Sequence, residues 1–196
     1  MALTICIING YPQKNRQALT DAGVAGADEL YVRVLQKLIP DATLDVFMIA
    51  DLGTSLPGGG VEAYDAFIWT GSNLTIYEDD PRVTRQIEFA RQVYEVGRPS
   101  FGSCWGVQMA AAAAGGEVRK NPRGRELGFG RKIRLTAEGR AHPMYEGKPD
   151  VFDGFIMHLD EVSRVPPGGR LLATNEHTPV QALEVRHRRG SSGPRS

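Results

Sequence analysis

Short apolar runs alternate with longer amphipathic segments through the first half of the chain. The run from Leu3 to Ile8 is almost entirely apolar and rich in β-branched residues, and Asn9-Gly10 follows it directly. An apolar run of this length, bounded by turn residues, is typical of a strand buried in the middle of a parallel sheet. The same reasoning predicts three further strands, at Thr43 to Ile49, Asp65 to Thr70 and Arg98 to Phe101.

Two helices are predicted between these strands. The first runs from Ala27 to Ile39, and the second runs from Pro81 to Glu95 with Asp79 or Asp80 as its cap. Apolar residues recur at four-residue spacing along the first helix, at Leu30, Val34 and Leu38. This spacing indicates an amphipathic helix with one apolar face. The segment from Tyr11 to Gly26 is polar and is predicted to be a loop.

The order of these elements predicts the fold class. Alternating strands and helices are typical of an α/β protein with a doubly wound, mostly parallel sheet, helices on both faces and a site at the carboxyl ends of the strands. After Gly116 the pattern changes, and Asn121 to Gly130 has the composition of a surface loop. Four more strands are predicted, at Arg131 to Leu135, Val151 to Met157, Leu171 to Asn175 and Val180 to Val185. The second half is therefore expected to be rich in β-structure.

Composition narrows the class of protein. The 196 residues are enough for one domain with a substantial core. Lysines and arginines number 23, as do aspartates and glutamates, so no net charge recruits nucleic acid or a membrane surface. Two cysteines give no disulfide framework, and the N-terminus lacks the basic region of a signal peptide, so we expect a cytoplasmic protein. We find no metal-ligand cluster and no phosphate-binding loop, so no cofactor is expected.

The stretch from Phe101 to Val118 contains the main candidate for catalysis. A predicted strand leads into Gly102-Ser103-Cys104-Trp105-Gly106, and an alanine-rich helix follows. A strand, a sharp turn with a nucleophile at its apex and a helix form the nucleophile elbow, here with cysteine as the nucleophile. The two glycines leave room where the strand and helix backbones approach each other.

Cys104 is expected to be a reactive thiolate. Unpaired N–H groups and the positive end of the helix dipole face the first turn of a helix, and both favour the thiolate form. The N–H of Trp105 is placed to donate to an oxyanion. A cysteine is more often a small buried hydrophobic residue, and Cys6, inside the first apolar run, is interpreted in that way.

The elbow resembles the nucleophile segment of class I glutamine amidotransferases, which carry Gly-x-Cys-x-Gly followed by a glutamine. That glutamine is matched here by Gln108, which the resemblance implies helps to hold the substrate glutamine. The family places its second oxyanion donor in the turn after the third strand, which corresponds to Gly71 and Ser72 without a choice between them. The resemblance extends over residues 1–185, is closest to stand-alone members related to the glutaminase domain of GMP synthetase, and implies a flavodoxin-like glutaminase fold.

The resemblance implies a defined reaction. The Cys104 thiolate attacks the side-chain amide of glutamine, ammonia leaves, and a γ-glutamyl thioester is hydrolysed to glutamate. With no ATP-binding motif in the chain, the ammonia-using synthetase is expected to be a separate partner. Two alternatives stay open: a cysteine hydrolase of γ-glutamyl amides or peptides, and a catalytically inactive glutamine-binding remnant.

The histidines are the candidates for the general base. His158 lies in a His-x-Asp-x-Val motif, which occurs in the family as a feature near the mouth of the site and separate from the catalytic triad. His142 and His177 are predicted to lie in surface loops. His187 follows the last predicted strand, in a basic stretch without a neighbouring carboxylate.

The last residues depart from the family pattern. The family carries its catalytic histidine and glutamate as His-Pro-Glu on one further strand, and this tripeptide occurs nowhere in the chain. Residues 186–196 contain no large apolar side chain and are predicted to be disordered. Codons for Gly190-Ser191-Ser192-Gly193, read in another frame, can encode Val-Phe-Trp. We therefore hypothesise a shifted reading frame near Arg188, which would remove the catalytic histidine and glutamate.

Overall fold

The structure is a computed structural model, and it describes residues 2–186. The chain divides into two compact units. Unit 1 comprises the described residues up to Met109, and unit 2 comprises Ala110–Arg186. The predicted tail, from residue 187 onward, lies outside the described residues, and the predicted single domain of residues 1–185 stays a prediction.

Unit 1 is built on a parallel sheet of four strands in the order β2-β1-β3-β4. The strands are β1 (Thr4–Ile8), β2 (Thr43–Phe47), β3 (Ala66–Trp69) and β4 (Ser100–Gly102). The last four residues of β1 are fully buried, as its apolar sequence predicts. This order is the flavodoxin-like arrangement, so the expected fold class is confirmed.

Four helices begin in unit 1. They are α1 (Gln13–Asp21), α2 (Ala27–Leu38), α3 (Pro81–Val96) and α4 (Trp105–Ala113). The side chain of Asp80 caps α3 by accepting from the N–H of Arg82 over 2.8 Å. Gly97 ends α3 in the left-handed conformation, at φ 72°, where glycine has no steric penalty.

Helix α1 lies where the sequence predicted a loop. None of its residues is buried, so it has no apolar stripe from which a helix could be recognised. Pro12 precedes its first turn, where its fixed φ favours helix initiation. Arg16 of α1 forms an ion pair of 2.6 Å with Asp51, which fastens the helix to the loop after β2.

Helix α2 is present as predicted, but its orientation is different. Its apolar stripe faces outward, with Leu30, Val34 and Leu38 exposed by 51%, 53% and 72%. The residue that is buried is Leu35. Since successive helical residues are about 100° apart, α2 packs against β1 through a face next to the apolar stripe. The apolar stripe of α2 therefore lies outside its buried face.

Aromatic side chains form much of the core of unit 1. The rings of Phe47, Phe67 and Trp69 surround Phe89 of α3, with centroid separations of 5.5 to 6.2 Å. Edge-on and tilted contacts at these distances are favourable between aromatic rings. They hold α3 on the sheet below the ends of β2 and β3.

Unit 2 is made mostly of antiparallel strands. One sheet has the order β10-β9-β6-β7, and a two-stranded sheet pairs β5 with β8. The strands are β5 (Glu117–Lys120), β6 (Glu126–Leu135), β7 (Val151–His158), β8 (Asp160–Arg164), β9 (Arg170–Thr174) and β10 (Ala182–Glu184). A short helix, α5 (Ala137–Arg140), follows β6. The expected β-rich second half is confirmed.

Three features of unit 2 differ from the sequence prediction. The sequence predicted a surface loop from Asn121 to Gly130, but strand β6 begins inside this segment, at Glu126. The carboxylate of Glu126 is buried, which the polar sequence did not indicate. Strands β5 and β8 were missed, since charged residues dominate both of them. They pair with each other through backbone hydrogen bonds, which do not depend on an apolar pattern.

Among the described residues, no helix combines the length and the apolar character needed to cross a bilayer.

Candidate active site

Three strand ends of unit 1 meet at one edge of the parallel sheet. A Cβ atom at Gly10, after β1, would lie 3.1 Å from Trp105 Cδ1 and 3.2 Å from the carbonyl oxygen of Gly71, after β3. We call the place where Gly10, Gly71 and Trp105 meet the notch. In the strand order β2-β1-β3-β4, the chain goes from β1 to β2 on one side and then to β3 on the other side of β1. The notch therefore lies at the topological switch point of the sheet, where doubly wound proteins bind ligands.

Cys104 stands at the turn between β4 and α4 and is exposed. Its φ of 54° is in the left-handed region, which is rare for residues other than glycine and costs energy. A Cβ atom on Gly102 would lie 2.7 Å from Gly106 Cα, so only glycine fits this crossing. The sharp strand–turn–helix geometry expected from the sequence is present.

Backbone N–H groups without an acceptor lie on both sides of the notch. Trp105 is the first residue of α4, so its N–H has no intrahelical acceptor. Within residues 2–186, the N–H groups of Trp105, Gly71 and Ser72 have no hydrogen-bond acceptor. These are the three residues that the sequence analysis predicted as candidates for the oxyanion hole.

The turn after β3 is held by its neighbours. The Ser72 hydroxyl donates to the carbonyl of Gly10 over 2.7 Å, and the Thr70 hydroxyl donates to the carbonyl of Gly71 over 2.8 Å. The N–H of Gly10 in turn donates to Thr70 Oγ1 over 3.1 Å. Because the Ser72 hydroxyl is already engaged, its backbone N–H is the group left for an anion.

Gln108 lies one helical turn after Cys104. The residue is only 8% exposed, yet the polar atoms of its amide are not among the fully buried, unpartnered side-chain atoms of the described residues. The amide is therefore within reach of solvent or of a ligand. This situation suits the substrate-binding role that the family resemblance implies.

Trp105 also fixes the start of α4 through its side chain. The indole N–H donates to Gln86 Oε1 over 2.9 Å, and both side chains are buried. The backbone N–H of Trp105 is therefore held in place by a contact with α3.

Tyr11 is a site residue that the sequence prediction missed. A Cβ atom at Gly71 would lie 3.3 Å from its hydroxyl oxygen, so the phenol lies over the Gly71 turn. Burial, and next the charge of the Cys104 thiolate, raise the pKa of Tyr11 above 10.0. The available signal was its position, since Tyr11 is the third residue after β1, a strand whose carboxyl end faces the site.

A second tyrosine reaches the elbow from α2. The hydroxyls of Tyr31 and Ser103 are hydrogen-bonded at 2.7 Å. This bond fastens α2 to the residue immediately before Cys104. The spacing of apolar residues in α2 contained no indication of it.

Cys6 has the structural role that the sequence predicted. It is completely buried in β1. Burial, followed by the neighbouring Asp45 carboxylate, raises the pKa of the Cys6 thiol to about 12. Its thiolate is therefore scarce at neutral pH.

Two of the histidines in unit 2 surround one buried carboxylate. His158 Nε2 lies 3.2 Å from Glu126 Oε2, and His177 Nδ1 lies 3.6 Å from the same oxygen. Although burial alone would raise it, hydrogen bonds from Asn175, Thr178 and Gln181 lower the pKa of Glu126. The other ring nitrogen of His158 lies 3.0 Å from the carbonyl oxygen of Asp160. Both ring nitrogens of His158 thus have structural partners.

His142 and His177 lie outside the helices and strands, as predicted. Their side chains are partly exposed, at 19% and 29%, and both face carboxylates. His142 Nε2 lies 3.7 Å from Glu184 Oε1, while its Nδ1 accepts from the N–H of Met144 over 3.2 Å. Polar loop sequences do not reveal such pairs, because the carboxylates come from distant parts of the chain. His187 lies outside the described residues.

Within the part of the chain that the structure describes, no group of three histidine, cysteine or carboxylate side chains could hold a metal ion.

The sequence and the fold are both similar to known proteins. The family model "Glutamine amidotransferase class-I" matches residues 75–192. Over 194 residues the sequence is 36% identical to the gamma-glutamyl-L-1-hydroxyisopropylamide hydrolase of a Pseudomonas species, covering 96% of this chain and 64% of that protein. Over 119 residues it is 33% identical to the glutamine-hydrolyzing GMP synthase of Clostridium novyi, covering 60% of this chain and 21% of the synthase. The chain thus spans less than two thirds of the length of either relative.

The fold matches that of a glutamine amidotransferase from Thermotoga maritima with a TM-score of 0.73. The two sequences are 17% identical, and the match covers 94% of this chain and 72% of that one. At this identity the likeness shows a shared fold.

Proposed function

Because the chain belongs to the class I glutamine amidotransferase family, we propose that it hydrolyses a γ-glutamyl amide through a thioester at Cys104. One observation carries the proposal: an exposed cysteine, with a left-handed φ of 54°, stands at a strand-to-helix turn, and within residues 2–186 the N–H of the next residue, Trp105, has no acceptor. A nucleophile and oxyanion donors held together in this way suit acyl transfer.

Each proposed site residue has a role in this reaction. The Cys104 thiolate adds to the γ-carbonyl carbon, and the negative charge that develops on oxygen is stabilised by N–H groups of Trp105 and of Gly71 or Ser72. The intermediate collapses, the C–N bond breaks, and the nitrogen takes a proton from solvent water as it leaves as the neutral amine. Water then hydrolyses the thioester to release glutamate. The Gln108 amide holds the γ-glutamyl group.

The first candidate substrate is L-glutamine, with ammonia passed to a separate synthetase. The similarity to the Clostridium GMP synthase, whose name describes it as glutamine-hydrolyzing, supports glutamine as the substrate. The partner synthetase and the cytoplasmic location stay predictions. Neither cysteine is in a disulfide, which suits a reducing compartment.

The second candidate is a γ-glutamyl amide of a small organic amine, hydrolysed without ammonia transfer. A specific observation favours it: the similarity to the Pseudomonas hydrolase covers 96% of this chain, against 60% for the GMP synthase. The two candidates share Cys104 chemistry and differ only in the leaving group.

A third candidate is a glutamine-binding protein without turnover. In this candidate the same residues bind the γ-glutamyl group, but the amide is not hydrolysed.

One assay separates the three candidates. The purified chain is incubated with L-glutamine and with the γ-glutamyl amides of isopropylamine and of 2-aminopropan-1-ol, and glutamate, ammonia and amine are quantified. A preference for glutamine supports the first candidate, a preference for the substituted amides supports the second, and binding without product supports the third. Cys104→Ser removes the nucleophile, and Cys6→Ser is the matched control. Product that survives Cys104→Ser would refute the proposed chemistry.

A further inference from the structure

The hydroxyl of Tyr11 lies beside the reacting groups but is not used by the mechanism above. It stands over Gly71, at 3.3 Å from the place where a Cβ atom would be, and the Cys104 charge, after burial, contributes to raising its pKa. Within residues 2–186 this hydroxyl has no hydrogen-bond partner. A half-buried phenol without a partner at a catalytic edge is available to a ligand.

The backbone of Tyr11 is held on both sides. Its N–H donates to Asn9 Oδ1 over 2.9 Å, and its carbonyl accepts from Arg16 Nη1 over 2.6 Å. Asn9 is completely buried, and its amide donates to Asp28 over 2.7 Å. Arg16 is itself paired with Asp51. A side chain supported in this way can be aimed at a reacting atom before substrate arrives.

The location of the hydroxyl indicates its target. Gly71 is one of the two candidate oxyanion donors after β3, and its N–H has no acceptor among residues 2–186. The absence of a side chain at Gly71 lets the phenol lie directly above this turn. Resting on the proposed function of Cys104, we propose that Tyr11 is an additional, side-chain donor to the oxyanion.

Formation of the oxyanion transfers no proton. The thiolate forms a C–S bond to the γ-carbonyl carbon, and the electron pair of the C=O π bond moves to oxygen. That oxygen accepts hydrogen bonds from the backbone N–H groups and from the Tyr11 O–H, which keeps its proton. When the intermediate collapses, the pair returns to the C=O bond, the C–N bond breaks, and the nitrogen leaves with a proton from solvent water. The hydrogen bond to Tyr11 then weakens.

The protonation state of the Tyr11 phenol agrees with a role as a hydrogen-bond donor. A donor to an oxyanion must stay protonated at the working pH. Burial and the Cys104 charge raise the pKa of Tyr11, so the phenol keeps its proton at neutral pH.

The test uses two reagents that alkylate Cys104 by different routes. The glutamine-like chloroketone 5-chloro-4-oxo-L-norvaline first forms a tetrahedral adduct with an oxyanion, whereas iodoacetamide is displaced directly and forms none. Tyr11→Phe removes only the hydroxyl and keeps the ring. In this variant we expect the rate at which the chloroketone alkylates Cys104 to fall about 10- to 100-fold. This is the effect of losing one hydrogen bond to a charged group. Its rate with iodoacetamide, and the pH profile of that rate, should stay within twofold.

Tyr64→Phe is the matched control, because Tyr64 is a buried tyrosine at the other end of β3 whose hydroxyl donates to Asp45. It should leave the ratio of the two rates unchanged. An unchanged chloroketone rate in Tyr11→Phe would overturn the proposal. The proposal would also be overturned if Tyr11→Phe slowed alkylation by both reagents equally and displaced the pH profile of the iodoacetamide rate. The hydroxyl would then act on the Cys104 thiolate or on the fold. If the chloroketone does not prefer Cys104 in the unmodified chain, the proposed function itself fails.

Discussion

The indole N–H of Trp105 donates a buried hydrogen bond of 2.9 Å to Gln86 Oε1. This bond joins α3 to the first residue of α4, whose backbone N–H is a proposed oxyanion donor. Gln86 is itself oriented by a second bond, from its Nε2 to the carbonyl of Arg82 over 3.2 Å. The position of the elbow therefore depends on a residue outside the sequence motif.

We expect Gln86→Leu to destabilise the protein and to slow the chloroketone reaction at Cys104. The substitution leaves the Trp105 indole N–H buried without an acceptor, which should cost about 1–3 kcal/mol. Urea unfolding and labelling rates check the two effects. Gln36→Leu, at an exposed position on α2, is the control and should change neither. Unaltered stability in Gln86→Leu would contradict the importance of this bond.

Gly102→Ala should disrupt the elbow. The new methyl carbon would lie 2.7 Å from the Gly106 backbone, a distance at which the strand and helix must move apart. We expect a loss of about 1–3 kcal/mol, as in other overpacked sites, together with slower labelling of Cys104. Gly53→Ala has no neighbour within 4 Å and serves as the control. If both alanine variants unfold at the same urea concentration, the close crossing does not constrain the elbow.

Gln108→Ala should weaken substrate binding. Loss of the buried amide would leave a polar group of bound glutamine without its partner, at a cost of about 1–3 kcal/mol. Calorimetry with L-glutamine in a Cys104→Ser background measures this cost without turnover. Gln17→Ala, on the exposed surface of α1, is the control. Equal affinity in the two glutamine variants would remove Gln108 from the binding site.

Glu126 should make the stability of the protein depend on pH. Its folded-state pKa is lowered from 4.5 by hydrogen bonds that outweigh burial, so the carboxylate contributes stability above that value. The contribution is lost as pH falls through the folded pKa. Urea unfolding between about pH 7 and pH 3 should show Glu126→Gln less stable than the parent chain at neutral pH, with the difference shrinking in acid. Glu176→Gln is the exposed control. If the difference in the free energy of unfolding between Glu126→Gln and the parent chain did not change with pH, the charge of Glu126 would contribute nothing to stability.

Apolar pattern and turn chemistry allowed much of the fold and the nucleophile to be predicted. Strand β1 was recognised because burial on both faces requires an uninterrupted apolar sequence. Cys104 was recognised because Gly102 and Gly106 mark a backbone crossing that tolerates no side chain.

The features that were missed depend on tertiary contacts between distant residues. Helix α1 buries no side chain, so it leaves no periodic signal. The sequence of α2 does not identify its buried face, because a stripe of apolar residues does not by itself say which side meets the sheet. Glu126 was taken for a loop residue, although its partners Asn175, Thr178 and Gln181 lie about fifty positions further along the chain. Tyr11 joins the site only because β1 and β3 are neighbours in the sheet.

Competitive labelling of the two cysteines tests the central claim most directly. The intact chain is treated with limiting 5-chloro-4-oxo-L-norvaline at neutral pH, and the labelled peptides are quantified by mass spectrometry with and without L-glutamine. Cys104 is exposed at the notch, whereas Cys6 is buried with a pKa of about 12, so label should accumulate at Cys104 and glutamine should protect it. Equal labelling of Cys6 and Cys104, or labelling that persists in Cys104→Ser, would contradict the assignment of Cys104 as the nucleophile.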